Sequence, residues 1–190
     1  MFRNTFQNGV LSVFYAIGSH PLQLWHKKVG KKGLAGMVND DDIQSVAYEL
    51  RCTDANLSDT YLTCPYADPK KTLGIKLQYL TFVVKNLDRY FTLEVQIIDN
   101  KGALKRIRTS NYQAKTRRQE YICTIPLQLD GGWNQIVLDL ADLTKRAYGT
   151  EYVETARIQV HANTRIRRIY FCDKTYSEED LPPELKLYKP

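Results

Sequence analysis

The stretch DGGWNQIVLDLADLTKRAYGTEYVETARIQVHANTRIRRIYFCDKTYSEEDLPPELKLY, Asp130 to Tyr188, decides the fold. Between Trp133 and Leu140, Ile136, Leu138 and Leu140 alternate with Gln135, Val137 and Asp139, the period-two signature of a half-buried strand. Ala141 to Tyr148 then reads as a short helix: Asp142 lies in its first turn, Lys145 and Arg146 in its last, and Gly149 supplies a left-handed cap. Two more strands follow, Arg157 to Ala162 and Ile166 to Cys172. In the first, Ile158 and Val160 face the core while Arg157, Gln159 and His161 face out. The second puts Arg165 and Arg167 on one side and Arg168 on the other, so arginine must be housed beside Ile169 or Tyr170. A guanidinium can lay its stem on a ring and keep its fork wet, which a sheet edge tolerates. Ser177 with Glu178, Glu179 and Asp180 reads as a capped turn ended by Pro182 and Pro183, after which the tail packs across the sheets.

Upstream, the pattern repeats. Val10 to Gly18 reads as a buried strand, because only one basic residue precedes it and Ser12 interrupts it, a poor match to a signal-peptide core. Pro21 to Val29 is expected to be a strand, and Gly30, Gly33 and Gly36 with Lys31 and Lys32 a flexible turn. Gln44 to Arg51 and Asp59 to Cys64 read as strands, the second closed by Pro65. Leu73 to Lys85 is too long and too evenly apolar for one half-exposed strand, so it bends or passes through the core. Phe91, Leu93, Val95 and Ile97 alternate with polar neighbours, and Asp99-Asn100-Lys101-Gly102 is a turn signal, so Tyr90 to Asp99 and Ala103 to Ser110 form an antiparallel hairpin. Tyr121 to Leu127 adds another strand; whether Trp133, Tyr121 and Phe91 fill the core or stand exposed is left open by the sequence. Eight or more short strands with one helix near residues 141–148 imply an all-β chain, an antiparallel jelly-roll-like β-sandwich.

A chain of 190 residues with 43% hydrophobic side chains fits a single domain, residues 1–190, with a core that needs no covalent staples. Cys52, Cys64, Cys123 and Cys172 are widely spaced, form no C-x-x-C pair and read as reduced thiols. No apolar run approaches the roughly 18 to 20 residues of a membrane-spanning helix.

The net charge of +6 is unevenly placed. Lys101, Lys105, Arg106, Arg108, Lys115, Arg117 and Arg118 fall in a window without an acid, and Arg157, Arg165, Arg167 and Arg168 form a second cluster. One cluster is an ordinary solvated face; two in one compact unit point to an acidic partner, whether protein surface, nucleic acid or anionic membrane. The candidate partner-binding residues are therefore Lys105, Arg106, Arg108, Lys115, Arg117 and Arg118 on one surface, and Arg165, Arg167 and Arg168 on another. Arg106 and Arg108 share a face, opposite an inward Ile107.

Catalytic and metal chemistry find no pattern. The three histidines are scattered, and His20 and His26 are not clear neighbours in a helix or a strand. Cys123 and His161 could meet as nucleophile and base only with an orienting group and oxyanion hole that nothing supplies. Nucleotide-binding and hydrolase fingerprints are absent. Gly30-Lys31-Lys32-Gly33 has the spacing of a nucleic-acid clamp loop without the helices that module needs, and Asp40-Asp41-Asp42 reads as a solvated turn. Thirteen tyrosines and two tryptophans keep a carbohydrate-binding module open as an alternative, beside nucleic-acid binding by the basic surfaces.

The Asp130 to Tyr188 string, with MFRNTFQNG at Met1 to Gly9, PLQLW at Pro21 to Trp25, DIQS at Asp42 to Ser45, ADPKKTLGIKL at Ala67 to Leu77 and SNYQAKTR at Ser110 to Arg117, resembles the cilia- and flagella-associated protein 20 family, inner-junction proteins of axonemal doublet microtubules. Tyr66 departs from the pattern as an extra residue in a Cys-Pro-Ala-Asp-Pro turn. The resemblance implies a non-catalytic scaffold without a cofactor that joins the B-tubule to the A-tubule. It also implies tubulin and the parkin co-regulated protein as partners, and a place in the axoneme and basal body with a cytoplasmic pool.

Overall fold

A computed structural model describes residues 1–53, 59–66, 71–177 and 179–186. Thirteen strands and one α-helix are found among them. They build two sheets packed face to face, an antiparallel β-sandwich of jelly-roll type.

The first sheet runs in the order β11 (Gly132–Asp139), β6 (Tyr79–Asn86), β13 (Thr164–Cys172), β4 (Ser45–Cys52), β3 (Gly33–Asp40), with β1 (Val10–Tyr15) also on β13. The second runs β2 (His26–Lys28), β5 (Tyr61–Cys64), β12 (Tyr152–His161), β7 (Thr92–Asp99), β8 (Leu104–Ser110), β10 (Ile122–Pro126), β9 (Arg117–Arg118). Every pairing is antiparallel except β8 with β10, which run parallel through the 111–121 connection.

The core lies between the sheets, where alternation aims one side chain in two from each strand. Leu80, Phe82 and Val84 of β6 meet Leu93, Val95 and Ile97 of β7 and Ile158 and Val160 of β12, all fully buried. Each such side chain contributes roughly 1.5–3 kcal/mol relative to exposure. A second, smaller cluster sits on the other face of the first sheet: Val83, Tyr170 and Cys172 are covered by Leu181 and Leu185 of the C-terminal segment, with Trp133 and Tyr176 at its margin. That segment crosses the sandwich as expected.

The helix α1 (Leu140–Tyr148) starts one residue earlier than its sequence pattern suggests. Asp139 caps it, accepting from the Asp142 N–H at 3.0 Å, and Gly149 closes it at φ 67° with its N–H on the Lys145 carbonyl. Leu73 to Lys85 does break in two: Leu73, Ile75 and Leu77 run through the core on a single bridge from Ile75 to Thr155, and β6 begins at Tyr79. The N-terminal segment docks on that arm, the Met1 amine reaching the Thr72 carbonyl and the Phe2 N–H the Leu73 carbonyl, each at 2.6 Å.

Several expectations are corrected. Pro21 to Val29 is not one strand: Gln23 and Trp25 donate to the His20 and Leu22 carbonyls in consecutive turns, and only His26–Lys28 pairs. Leu22 and Leu24 pack on the core from those turns. Gly33 to Gly36 is not a turn but the start of β3. Gly33 serves close approach, since a Cβ there would lie 2.2 Å from Thr60 Oγ1. Between the two places the sequence leaves open for Trp133, Tyr121 and Phe91, the structure puts only Phe91 in the space between the sheets: Tyr121 is 55% exposed and Trp133 packs on the smaller cluster.

Candidate partner-binding surface

The β7–β8 hairpin is held by its turn. Asp99 accepts from the backbone N–H groups of Lys101 and Ala103, at 3.1 and 2.8 Å, and Gly102 takes φ 72°. Burial works to raise the Asp99 carboxyl, but the backbone hydrogen bonds from Ala103 and Lys101 help outweigh it and hold it below the usual range. Register then places Arg108 opposite Glu94 and Arg106 opposite Gln96 on the outer face, with Ile107 fully buried beneath.

These two arginines are not an uncompensated charge. Arg108 donates from Nε and Nη2 to one oxygen of the buried Glu94, at 3.1 and 2.7 Å, and Arg106 Nε stands 3.8 Å from the other. Lys105 is tied down as well. Its ammonium donates to the Glu120 carbonyl at 2.7 Å and lies 4.6 and 5.1 Å from the ring centroids of Tyr121 and Tyr148. The Tyr148 hydroxyl donates to the Arg106 carbonyl, and burial pushes that phenol up to about 12.

Lys115, Arg117 and Arg118 are exposed on the segment that enters and forms β9, the last strand of the second sheet. Arg118 and Arg117 stand opposite Cys123 and Thr124 of β10. Lys105, Arg106 and Arg108 lie on β8 and Arg117 and Arg118 on β9, with β10 between them and Lys115 in the adjoining loop; register puts Arg106, Arg108 and Arg117 on the outer face, while Lys105 and Arg118, opposite the buried Ile97 and Cys123, alternate to the other side. Exposed Tyr112 and Tyr121 flank them.

The second cluster turns inward. Arg167 and Arg168 are 2% and 1% exposed, which corrects the expectation that they present an outward surface. Arg168 stands opposite Tyr15 of β1, its guanidinium carbon 4.7 Å from that ring's centroid, on the face that also carries Tyr170 and Cys172. Arg167 donates to the Val46 carbonyl, and burial beside Arg168 lowers its pKa. Arg157 donates to the Pro65 and Lys71 carbonyls, bracing a loop of its own chain.

Arg165 belongs to a network that the sequence reading missed. Asp40, 1% exposed, accepts from Arg165 Nη1 at 2.6 Å, Lys85 Nζ at 2.9 Å and Trp133 Nε1 at 3.1 Å. Arg165 Nε also donates to Glu49 at 2.7 Å, and Lys85 pairs with Asp42 at 2.7 Å. Burial opposes ionisation of Asp40, yet Lys85, Arg165 and Trp133 together hold its carboxyl down at about 2. The Asp40-Asp41-Asp42 run is therefore not simply a solvated turn: its first residue neutralises cations from two other strands, β6 and β13, and accepts from Trp133 on a third.

The chemical pairings considered for catalysis do not assemble. Cys123 on β10 and His161 on β12 are separated by β7 and β8, roughly 14 Å at the usual strand spacing. His161 instead lies against Tyr61, and His26 against Tyr66, the residue that departs from the family turn. Among the described residues, no group of three or more His, Cys, Asp or Glu could hold a metal ion.

A jelly-roll-type sandwich with one cationic sheet end, braced by its own acids and tyrosines, is the class of protein this geometry defines. The chain belongs to the CFA20 domain family, which it matches over residues 1–189. It is 56% identical over all 190 residues to Cilia- and flagella-associated protein 20 of Paramecium tetraurelia, covering 97% of that protein. The protein of the same name from Chlamydomonas reinhardtii is also 56% identical over the whole chain, with 98% of its length covered. Among solved structures it is similar to the family 11 carbohydrate-binding module of the cellulase Lic26A-Cel5E of Clostridium thermocellum, with 12% identity, a TM-score of 0.49, and coverage of 90% of this chain and 99% of that one.

Proposed function

We propose that the protein is a non-catalytic structural component of the ciliary axoneme that joins the B-tubule to the A-tubule at the inner junction of doublet microtubules. The observation that carries this reading is full-length identity above half with cilia- and flagella-associated proteins, combined with a rigid sandwich exposing cations at one sheet end. Tubulin is the acidic partner that such a surface suits, and the parkin co-regulated protein is a neighbour at the same seam. The axoneme and basal body are its places of assembly, supplied from a cytoplasmic pool. Lys115, Arg117 and Arg118 are the contact residues of choice, because all three are exposed and the residues opposite Arg117 and Arg118 in β9's ladder, Thr124 and Cys123, are not acids. Arg106 and Arg108 contribute less net charge, since Glu94 offsets one of them. Docking of this kind combines steering by charge with a modest contact area, multiplied by repetition along the filament.

The test is incorporation into axonemes of a flagellated cell lacking the native protein. Wild-type protein is expected at the inner junction in cross-sections after detergent extraction, and Lys115→Glu/Arg117→Glu/Arg118→Glu is expected in the soluble fraction with its fold unchanged. Normal incorporation of the triple variant removes this surface from the proposal; wild-type signal elsewhere than the junction removes the function itself.

A further inference from the structure

Four strands close the path ends of the two sheets. The strand β2 is His-Lys-Lys and β9 is Arg-Arg, both short and charged, while β11, eight residues with no charge before Asp139, carries the polar Asn134 and Gln135 and runs directly into α1. Charge and brevity are how proteins keep an edge from pairing with another chain. The fourth, β3, is eight residues long and reads GLAGMVN before its first charge at Asp40. It exposes Leu34 at 62% and Met37 at 45%.

Its two faces differ. Ala35 and Met37 stand opposite Leu50 and Tyr48 of β4 and face the space between the sheets; Leu34 and Gly36 stand opposite Arg51 and Glu49 on the outer side. On the inner side an apolar groove of about 670 Å³ opens at this edge, lined by His20, Pro21, Leu22, Ala35, Met37 and Tyr48. Nothing lies within 4 Å of where a Cβ on Gly36 would be.

We propose that β3 pairs with the β3 strand of a second copy of this chain, antiparallel about a two-fold axis at Gly36, to continue the first sheet across a dimer. The strand is complementary to itself in that register. Residues equidistant from Gly36 face each other, so each Met37 meets the small Ala35 of the other copy and reaches over its groove, and each Leu34 meets a Val38. Beyond the strand ends, Lys31 of each copy meets Asp41 of the other, and both are exposed. An isologous contact makes each of these pairs twice, main-chain hydrogen bonds supply affinity as in any strand addition, and the small area makes the dimer weak and reversible.

Sedimentation velocity on the purified full-length protein, over roughly 1 µM to 1 mM, reads this directly. A reversible monomer–dimer equilibrium is expected. Leu34→Lys/Met37→Lys, both at exposed positions, should abolish it with an unchanged circular dichroism spectrum. Lys31→Asp sets two like-charged pairs across the axis and should weaken the dimer about tenfold; adding Asp41→Lys should restore it, a rescue that no other register provides. A monomer throughout the range overturns the proposal, and so does a dimer indifferent to the Leu34 and Met37 changes. If the wild type stays monomeric while the edge variant fails to enter axonemes, β3 accepts a foreign strand and self-pairing is again overturned.

Discussion

Arg165 and Asp40, 125 residues apart in the chain, meet at 2.6 Å on the outer face of the first sheet. Their contact ties β13 to the far end of β3, and Lys85 and Trp133 extend it to β6 and β11. It is a clamp across the sheet, made of groups that a charge count assigns to a binding surface and a solvated turn.

Asp40→Asn should therefore destabilise the fold by about 3 kcal/mol, because it leaves Arg165 and Lys85 without the carboxylate they surround. The pH dependence follows from the lowered carboxyl. An acid with a depressed folded value stabilises the fold fully above its unfolded value near 4, and that contribution is lost as pH falls toward about 2. Urea midpoints measured from pH 7 to pH 2 should fall more steeply for the wild type than for the variant, which has already lost about 2 kcal/mol of this term. Parallel curves would show that Asp40 is not the titrating group.

Glu94→Gln separates stability from binding. The variant weakens two charge-assisted hydrogen bonds from Arg108 and should cost about 2 kcal/mol in urea denaturation. It also uncovers one positive charge on the hairpin, so binding to extracted doublets should tighten and depend more strongly on salt. Binding unchanged by Glu94→Gln, with the stability loss observed, would place the contact surface away from Arg106 and Arg108.

Gly74 lies at φ +66°, and a Cβ there would come within 2.8 Å of the Arg3 backbone nitrogen. Gly74→Ala adds left-handed strain to that collision, and the N-terminal arm must lift. A loss of about 2 kcal/mol, or roughly 4–8 °C in Tm, is expected for a chain of this size. Deleting the arm should abolish most of the difference between Gly and Ala; an equal penalty without the arm would trace the cost to backbone strain alone.

All four cysteines are buried, and burial pushes Cys64 up to about 12 and Cys172 up to about 11. The thiolate is the reactive form, so a chromogenic disulfide reagent at pH 8 should label none of them in the native protein within minutes and four after denaturation. One fast-reacting thiol in the folded state would overturn that burial at the site it labels.

Much of the sandwich was legible because alternation reports which side chains face a core. Phe91 to Ile97, Ile136 to Leu140, and Ile158 and Val160 point inward as their spacing requires, and the hairpin turn and helix caps stand where Asp99, Gly102 and Gly149 put them. Local chemistry suffices for such features, since a turn needs only its own residues. Where it misled, a distant contact intervened. Glycine at 33 signals a turn by itself, but it makes room for Thr60; Pro21 to Val29 reads as a strand, but consecutive turns absorb the hydrogen bonds of its first half.

The basic surfaces divide the same way. The charge window from Lys101 to Arg118 is local, and because its residues sit on a hairpin and the adjoining edge strand, the sequence by itself determined that most of it would remain at the surface. Whether an arginine keeps its charge for a partner or spends it inside the fold depends on acids that arrive from elsewhere in the chain. Only the tertiary structure decided that Glu94 offsets the hairpin, that Asp40 and Glu49 hold Arg165, and that Tyr15 covers Arg168, since coulombic and hydrogen-bond pairing acts across space and sequence order does not record it.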